Sequence, residues 1–356
     1  MSNQSARPAN GTSGAARRGI AARPERPAFG FALSSEENGP IALVRQARLA
    51  EEIGLDFLSI SDHFHPWITT QGQSPAVWPV LGAIASVTDS ILVGTGVTCP
   101  TVRLHPAIVA QAAATTAAMF QSRFYLGVGT GESLNEHVTG ERWPSPNERF
   151  ERLAEAVKII TKLWEGDSYT YDGAYFRVSD ARLFTLPDEP PPILVAAAGP
   201  RAASLAGKMD GLIATGPDDT LFEAFETAGG RDKPRVGQVT VCWGPDEAET
   251  RRVARKFWPT TVLGWNARSE IRTPEVFEDA TAFATEDAVS QNILCGPDID
   301  AIVHRAMEFV SGGFDHVYFH QVGTRQEDFL QMAKGELLPE LRRAVDRQSR
   351  PVANTP

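Results

Sequence analysis

The segment DFLSISDHFHPW, residues 56–67, joins an apolar run to a cluster of polar and aromatic side chains. The run is typical of a buried strand, and Asp62, His63, His65 and Trp67 follow where that strand would leave the core. An imidazole beside a carboxylate moves protons near neutral pH, and an indole can form one wall of the same pocket. A His-x-His metal pair and ordinary loop packing are the alternatives for this cluster.

The elements that would position this cluster are short apolar runs that alternate with longer amphipathic segments. Several runs are apolar almost throughout, as in strands that are covered on both faces of a parallel sheet. The alternation predicts the α/β fold class and a (β/α)8 TIM barrel, with a doubly wound sheet as the alternative. The runs are FGFAL (29–33), DFLSIS (56–61), ILVGTGV (91–97), FYLGVGTG (124–131), PILVAAA (192–198), GLIATG (211–216), VGQVTVCW (236–243) and HVYFHQV (316–322).

The predicted domain organisation is a single barrel domain, residues 28–346, between two tails. The amino-terminal tail, residues 1–27, is rich in Ser, Gly, Ala, Pro and Arg and has one large aliphatic residue, Ile20. Such a segment buries too little apolar surface to become ordered, so we predict that it is disordered. Residues 347–356 form the predicted carboxyl-terminal tail.

Two segments interrupt the alternation and are predicted to be insertions on the barrel. Residues 169–178 have the pattern of a β-hairpin, with Asp172 and Gly173 as a two-residue turn. Residues 259–285 form a long irregular stretch with several aromatic residues, and loops of this length in compact domains commonly act as lids.

Composition and charge exclude several classes of partner. The chain has 34 Lys and Arg against 44 Asp and Glu, and a net charge of −10 repels nucleic acid. No apolar stretch is long enough for a transmembrane helix, so no membrane partner is expected. The three cysteines lie far apart in the sequence, which is typical of a reducing, cytoplasmic environment. A small-molecule substrate is the predicted partner.

In a TIM barrel the active site lies at the carboxyl ends of the strands. Glu36 and Glu132 follow the first and fourth strands, so both acids would emerge near His63. Metal sites in barrels take further ligands from other strand ends. The segments that follow the fifth and sixth strands, here called exits, read AGP and TGP and contain no such ligand. We therefore predict no metal site and favour an acid/base site, with loop packing of His63 and Glu132 as the alternative.

The fifth exit, PILVAAAGPRAASLAGK, has the character of a cofactor slot. Ala197, Ala198 and Gly199 would let a ligand approach the backbone closely. Pro200 suits a first helical turn, whose free N–H groups attract an anion. With the equally small GTGV at the third exit, this predicts a slot for a flat ring with a phosphate tail.

The motifs together resemble one family. ISDHFHPW, VGTGVTCPTVRLHPAIVAQAAAT, FYLGVGTGESLNEHVTG, ERFERLAEAVKIITKLWEGD and ILVAAAGPRAASLAGKMDGLIATG are similar to the luciferase-like superfamily. Within it, they resemble the branch that uses the deazaflavin coenzyme F-420, over about residues 29–343. The resemblance implies a (β/α)8 barrel, a homodimer and an oxidoreductase that binds coenzyme F-420. The alternatives are an FMN-dependent monooxygenase of the same superfamily and a sugar-6-phosphate dehydrogenase with a changed phosphate site.

The resemblance also implies roles for individual residues. His63 would take the hydroxyl proton while a hydride passes to the deazaflavin, and Trp67 would steady the developing charge. Glu132 would protonate or stabilise the reduced ring, and Glu36 matches the family's glutamate after the first strand. A non-proline cis peptide, expected in this family after the third strand, would join Gly96 to Val97. The residues assigned to coenzyme binding are Asp62, Gly96, Val97, Cys99, Gly131, Asn135, Ala197, Ala198, Gly199 and Pro200.

One departure from the branch bears on the substrate. Its sugar-phosphate dehydrogenases hold the phosphate with two lysines and an arginine, which we match here to Pro217, Ser290 and either Glu327 or Asp328. A neutral or acidic set cannot clamp a dianion. The sequence therefore predicts a non-phosphorylated alcohol or carbonyl substrate rather than glucose 6-phosphate.

Overall fold

Each of the eight apolar runs contains a strand in the computed structural model, which describes residue 20 and residues 23–348. Most strands stop before the run does, because the last residues of the run leave the sheet. The strands are β1 (Ala28–Leu33), β2 (Phe57–Ile60), β3 (Leu92–Thr95), β4 (Phe124–Val128), β5 (Tyr169–Asp172), β6 (Arg177–Ala181), β7 (Ile193–Ala196), β8 (Gly211–Ala214), β9 (Arg235–Trp243), β10 (Leu294–Gly296) and β11 (His316–Gln321).

Parallel pairing closes eight of these strands into a barrel. The order is β1-β2-β3-β4-β7-β8-β9-β11, and β11 pairs again with β1. The predicted (β/α)8 TIM barrel is therefore confirmed, and the doubly wound sheet is wrong because such a sheet does not close. Strand β10 adds to the carboxyl-terminal part of β9, where Leu294 lies opposite Val241.

Helices surround the barrel and return the chain from one strand to the next. Five of them begin with a proline in the first turn, where its missing N–H costs no hydrogen bond and its fixed φ suits a helix. The helices are α1 (Pro40–Glu52), α2 (Val77–Ala85), α3 (Pro106–Phe120), α4 (Ser133–Glu136), α5 (Pro146–Leu163), α6 (Pro200–Lys208), α7 (Asp219–Phe225), α8 (Glu247–Phe257), α9 (Trp265–Glu270), α10 (Pro274–Thr281), α11 (Glu286–Ser290), α12 (Ile299–Ser311), α13 (Gln326–Met332) and α14 (Leu338–Gln348). None of the helices in the described residues is both long and apolar enough to cross a bilayer.

The predicted hairpin insertion is confirmed, but its predicted turn is wrong. Strands β5 and β6 pair antiparallel, with Asp172 opposite Arg177, so residues 173–176 form a four-residue connection. The Gly173 N–H donates to the Phe176 carbonyl at 3.0 Å inside that connection. Glu155 of α5 accepts hydrogen bonds from the Tyr175 and Phe176 amides, which holds the longer turn against the helix.

The segment at residues 259–285 is more ordered than an irregular loop. It contains a 3-10 turn at Pro259–Val262 and the short helices α9 and α10. Phe277 of α10 is fully buried, and its ring meets the Trp67 ring edge-on at 5.3 Å. The insertion is thus packed over the exit of β2, while its movement as a lid stays a prediction.

A set of apolar side chains fills the amino-terminal end of the barrel interior, and it includes Phe57, Tyr125 and Leu194. Ile20 packs among them and is 1% exposed, so the prediction that residues 1–27 are disordered throughout is wrong at this position. The Ile20 side chain is buried here because the barrel interior supplies the apolar surface that its own segment lacks. Residues 1–19, 21–22 and 349–356 of the predicted tails lie outside the described residues, and α14 continues to Gln348.

Candidate active site

A cavity of about 550 Å³ lies at the carboxyl ends of the barrel strands. Residues of all eight barrel strands or of the loops that follow them contribute to its lining. Small residues from the exits of β3, β4 and β7 line one side, and aromatic and charged residues line the other. Because the amino-terminal end of the barrel is filled, polar groups that leave the strand ends converge on this cavity.

His63 follows β2 and presents one ring nitrogen to the cavity. Its Nδ1 lies 3.2 Å from the His65 carbonyl oxygen and 3.5 Å from Glu36 Oε1. A carbonyl oxygen only accepts hydrogen bonds, so Nδ1 carries the hydrogen and Nε2 keeps its lone pair. This tautomer is the one that a proton acceptor needs.

Glu36 follows β1 and lies behind the His63 ring. Its Oε2 accepts hydrogen bonds from Ser34 Oγ at 3.0 Å and from Ser61 Oγ at 2.7 Å. Burial alone would raise the pKa of Glu36, but the His63 charge and the Ser61 hydrogen bond outweigh it and hold that pKa below its usual range. The carboxylate therefore stays ionised and favours a positive charge on His63.

Trp67 forms the wall beside His63. The two ring centroids are 5.1 Å apart, and the indole is 7% exposed. Its backbone N–H donates to Gln71 Oε1 at 2.8 Å, which ties the loop after β2 to the next turn. Together with the Phe277 contact, this leaves the indole little freedom to move.

Glu132 follows β4 as the residue before α4 and lines the same cavity as His63. It is half-buried, and its Oε2 lies 3.5 Å from Asn135 Nδ2. Burial first, and then the Glu132 charge, raise the pKa of the neighbouring Cys99 thiol, so Cys99 contributes a neutral side chain to the wall. The predicted convergence of His63 and Glu132 on one cavity is confirmed.

The small-residue side of the cavity forms a trough. The Gly96–Val97 peptide is cis, as the resemblance implied. A Cβ atom at Gly129 would lie 2.7 Å from Val97 Cγ2, so the two strand exits approach each other too closely for a side chain there. Gly199, in contrast, faces open space, with no atom within 4 Å of a built Cβ. A trough with these walls fits a flat ring, and the residues of it that were predicted and line the cavity are Gly96, Val97, Cys99, Gly131, Ala197, Ala198, Gly199 and Pro200.

Two residues predicted to bind the coenzyme, Asp62 and Asn135, lie behind the cavity wall instead. Both Asp62 oxygens are occupied, by Thr98 Oγ1 at 2.8 Å and by Arg103 Nη2 at 3.0 Å. Asn135 Oδ1 accepts from the Phe64 and His65 amides. Each side chain thus holds a loop in place behind the wall, and its contact with a coenzyme stays a prediction.

His65 points away from His63. Its Nδ1 lies 2.9 Å from the Leu134 carbonyl oxygen, and its ring stacks on His137 at 5.6 Å. The two histidines therefore do not share a ligand position. Among the described residues, no group of three or more His, Cys, Asp or Glu side chains is arranged to hold a metal ion.

Comparison with known proteins identifies the family. The family model described as luciferase-like monooxygenase matches residues 26–316, most of the chain. The chain belongs to the luciferase-like family. A solved F-420-dependent secondary alcohol dehydrogenase, in complex with an F-420–acetone adduct, superposes with a TM-score of 0.82 at 29% identity, covering 89% of this chain and 99% of that chain.

Curated relatives within the luciferase-like family place the chain in its F-420-dependent branch, as the motifs predicted. The F-420-dependent glucose-6-phosphate dehydrogenase of Microbacterium testaceum is 39% identical over 329 residues, which cover 88% of this chain and 97% of the relative. The protein of the same name from Mycobacterium tuberculosis is 34% identical over 330 residues, covering 88% and 98%. An FMN complex of a type II Baeyer-Villiger monooxygenase component from Pseudomonas putida, at 16% identity and a TM-score of 0.66 over 89% of this chain and 99% of that chain, shares the fold alone.

The residues matched to the phosphate site of this branch do not line the cavity. Pro217 packs against Gly312 near the end of α12, and the Ser290 hydroxyl donates to the Glu286 carbonyl within α11. Glu327 pairs with Arg45 on the surface, and the partly exposed Asp328 pairs with Arg325. The argument from the charge of these positions was therefore wrong, because they belong to the outer layer.

Several cavity residues were missed at the sequence level. Arg268 of α9 lies over the rings of Trp67 and Trp265, at 5.8 and 5.9 Å from their centroids. Burial lowers the pKa of Arg268, and the Glu132 charge opposes that shift. Gln238 was detectable as a polar residue inside an apolar strand run, whereas nothing in the local sequence of the insertion indicated which residues face the cavity. Trp258, Asn266 and Tyr318 are among the other lining residues that were missed.

Proposed function

We propose that this chain is a coenzyme F-420-dependent oxidoreductase in which His63 exchanges a proton with an alcohol or carbonyl substrate. When bound, the coenzyme supplies a hydride acceptor or, in its reduced form, a hydride donor. During oxidation, the substrate hydroxyl gives its proton to His63 Nε2, and the carbinol carbon loses its hydride as the C=O bond forms. During reduction, His63 returns the proton to the oxygen. The single observation that carries this proposal is the His63 tautomer, with Nδ1 tied to a carbonyl and Nε2 free beside the trough.

Glu36 is proposed to orient His63 and to stabilise its protonated form. The carboxylate is buried and ionised, and it lies 3.5 Å from Nδ1. In other proton-transfer sites, too, a carboxylate orients and stabilises an imidazole that transfers the proton. Trp67 is proposed to confine the substrate against His63, since its ring is packed on two sides.

The coenzyme is proposed to lie in the trough, with its phosphate-bearing tail at the start of α6. The first turn of α6 leaves backbone N–H groups without an intrahelical acceptor there, and Arg201 is held nearby by Asn147 at 2.7 Å and by stacking on Phe150. Glu132 is proposed to hold or supply a proton at the edge of the bound ring, because its carboxyl group lines the cavity beside the trough.

The experiment that tests this function is a screen of alcohols and carbonyl compounds with purified protein. Secondary alcohols are added with oxidised coenzyme F-420, ketones and aldehydes with the reduced form, and the visible absorbance of the deazaflavin is followed. We expect a change with F-420 and none with FMN or NADP in its place. No change with F-420 in either direction would overturn the proposal.

The substrate is proposed to be non-phosphorylated. Of the described residues that line the cavity, Arg201 and Arg268 are the only lysines or arginines, and Arg201 is engaged at α6. A phosphate dianion is normally held by several charge-assisted hydrogen bonds, and one guanidinium supplies too few.

A sugar 6-phosphate is the second candidate, favoured by the position of Arg268 and by the names of the curated relatives. The two candidates separate when kcat/KM is compared for glucose 6-phosphate and for neutral secondary alcohols, in wild type and in Arg268→Met. A higher value for glucose 6-phosphate that falls selectively in Arg268→Met would overturn the non-phosphorylated substrate and leave the oxidoreductase proposal intact.

We also propose that the chain is a homodimer through the outer face of α3. Helix α3 is apolar around most of its circumference, and Ile108 and Met119 on its outer side are 57% and 47% exposed. A helix that is apolar all round is normally buried, so a second copy is the expected cover. Light scattering should give twice the chain mass, and Ile108→Glu should shift it to the monomer; a monomeric wild type would contradict the proposal.

A further inference from the structure

A second imidazole, that of His320 at the carboxyl end of β11, faces the cavity and has no role in the reaction described above. The residue is 4% exposed and lines the cavity. Its ring meets the Trp258 ring edge-on at 4.6 Å with an interplanar angle of 82°, which fixes the imidazole plane. The ring is therefore held in one orientation.

A chain of hydrogen bonds determines which nitrogen of His320 carries the hydrogen. The Tyr318 hydroxyl donates to Gln238 Oε1 at 2.9 Å, which sets the orientation of the Gln238 amide. Gln238 Nε2 then points to Thr240 Oγ1 at 3.1 Å and to His320 Nδ1 at 3.4 Å. Because an amide nitrogen only donates, Nδ1 accepts and Nε2 carries the hydrogen.

The Nε2 hydrogen of His320 has no acceptor among the described residues. Its nearest acid is Glu37, whose Oε2 is 3.9 Å away, beyond hydrogen-bond distance. Buried donors of this kind are normally satisfied, so an unmatched one that lines a cavity indicates a partner supplied by a ligand.

His63 and His320 form two related pairs with adjacent acids. Ser34 Oγ bridges the carboxylates, at 3.0 Å from Glu36 and 3.4 Å from Glu37. Glu36 Oε1 lies 3.5 Å from His63 Nδ1, and Glu37 Oε2 lies 3.9 Å from His320 Nε2, so the two acid–imidazole pairs are adjacent. The two Nε2 atoms differ, since that of His63 can accept a hydrogen bond and that of His320 can donate one.

We propose that His320 donates its Nε2 hydrogen to a second oxygen of the substrate, on a carbon next to the reacting carbinol. The inference rests on the proposed function, in which His63 binds the reacting oxygen. It defines the substrate class as vicinal diols, hydroxyketones and cyclic sugar hemiacetals rather than simple alcohols. A substrate that lacks the second oxygen leaves a buried donor unmatched, which is a strong source of discrimination.

The test compares butane-2,3-diol with butan-2-ol, which share a carbon skeleton and a secondary carbinol. We expect wild type to prefer the diol in kcat/KM by about 10–100-fold, which corresponds to the cost of leaving one buried donor unmatched. His320→Leu should lose this preference because its kcat/KM falls for the diol and not for butan-2-ol. His320→Gln, which keeps an N–H donor, should recover most of the preference. Equal values for both substrates in wild type, or equal losses in His320→Leu, would overturn the inference.

A binding measurement tests the inference independently of turnover. In protein labelled with ¹⁵N-histidine, the diol should shift the His320 Nε2 resonance and butan-2-ol should not. His320→Gln assigns the signal, and His304→Gln is the matched control because His304 lies on the exposed side of α12. A shift without turnover would support His320 as a contact while the proposed function fails. Turnover with no selective shift would reject His320 and leave the function standing.

Discussion

The two sides of the cavity are built in different ways. The trough is formed by three short motifs at the exits of β3, β4 and β7, and its walls are mostly glycine, alanine and other small side chains. The opposite side is formed by β9, β11 and the insertion that follows α8, and its walls are indoles, imidazole, amide and guanidinium. The trough therefore depends on the absence of side chains, whereas the other side depends on large side chains from distant parts of the chain.

This difference explains how one cavity can serve coenzyme and substrate. A Cβ atom at Gly96 would lie 2.0 Å from Ser59 Oγ, so the shape of the trough is constrained by the barrel itself. The wall made of Trp265 and Arg268 belongs to an insertion, where substitutions change the lining without disturbing the strands. We expect substitutions in the trough to alter coenzyme binding and substitutions opposite it to alter substrate use.

The largest effect is expected for His63→Ala, at the boundary between the two sides. Loss of the proton acceptor should lower kcat by about 10²–10⁴, while the Kd of the coenzyme changes little because the trough is intact. Steady-state kinetics and a coenzyme titration by fluorescence measure the two quantities. His65→Gln is the control, since the His65 ring points to Leu134. Equal losses of kcat and coenzyme affinity in His63→Ala would show that the residue supports the fold instead.

A smaller effect is expected for Gly199→Val in the trough. Gly199 has extended backbone angles and open space around it, so valine is compatible with the fold but occupies the slot. The Kd of the coenzyme should rise about 10–100-fold, equivalent to about 1.4–2.8 kcal/mol, with an unchanged Tm. Gly216→Val is the matched control, because a Cβ there also meets nothing within 4 Å and Gly216 does not line the cavity. Similar coenzyme affinity in both variants would contradict the placement of the coenzyme.

The remaining prediction concerns stability rather than coenzyme or substrate, and it is made for Glu136→Gln beneath the trough, where a Cβ at Gly131 would lie 2.9 Å from Glu136 Cγ. Burial raises the pKa of Glu136 from its ordinary 4.5 to about 7, against hydrogen bonding and charge from Arg103. Between these values the folded chain holds a proton that the unfolded chain has lost, so the free energy of unfolding falls as pH rises. Glu136→Gln should remove this part of the decline, about 3 kcal/mol at most.

Urea unfolding at several pH values between 4.5 and 8 measures this pH dependence. The exposed Glu141→Gln serves as the control, and its curve should follow wild type. If Glu136→Gln shows the same pH dependence as wild type, Glu136 is ionised in the folded chain throughout this range.

Much of the fold and half of the cavity could be predicted from local sequence. Strands can be recognised from their apolar composition, and the residues that follow each strand must lie at the mouth of the barrel. His63, Glu36 and Glu132 were predicted in this way. What local sequence leaves undecided has a common cause. Asp62 and Asn135 sit at the right strand ends, but whether a side chain faces the ligand or the loop behind it depends on its hydrogen-bond partners.

The hairpin turn and Ile20 show the same limit of prediction from local sequence. Asp172-Gly173 is a good two-residue turn in isolation, yet Glu155 of a neighbouring helix stabilises a longer connection. Ile20 belongs to a segment of low hydrophobicity, and it is buried only because the barrel interior is open to it at the amino-terminal end. In both cases the deciding partner lies far away in sequence.

By itself, the amino-acid sequence determined the closed parallel barrel, its glycine-lined exits and the histidine and acids beside them, because period, composition and motif act over a few residues. The tertiary structure decided which nitrogen of each histidine faces the cavity, which polar residues lie behind the wall and which arginine enters it. These outcomes depend on hydrogen bonds and packing between segments up to about 290 residues apart, such as Glu37 with Gly323. Only the folded chain brings such groups together.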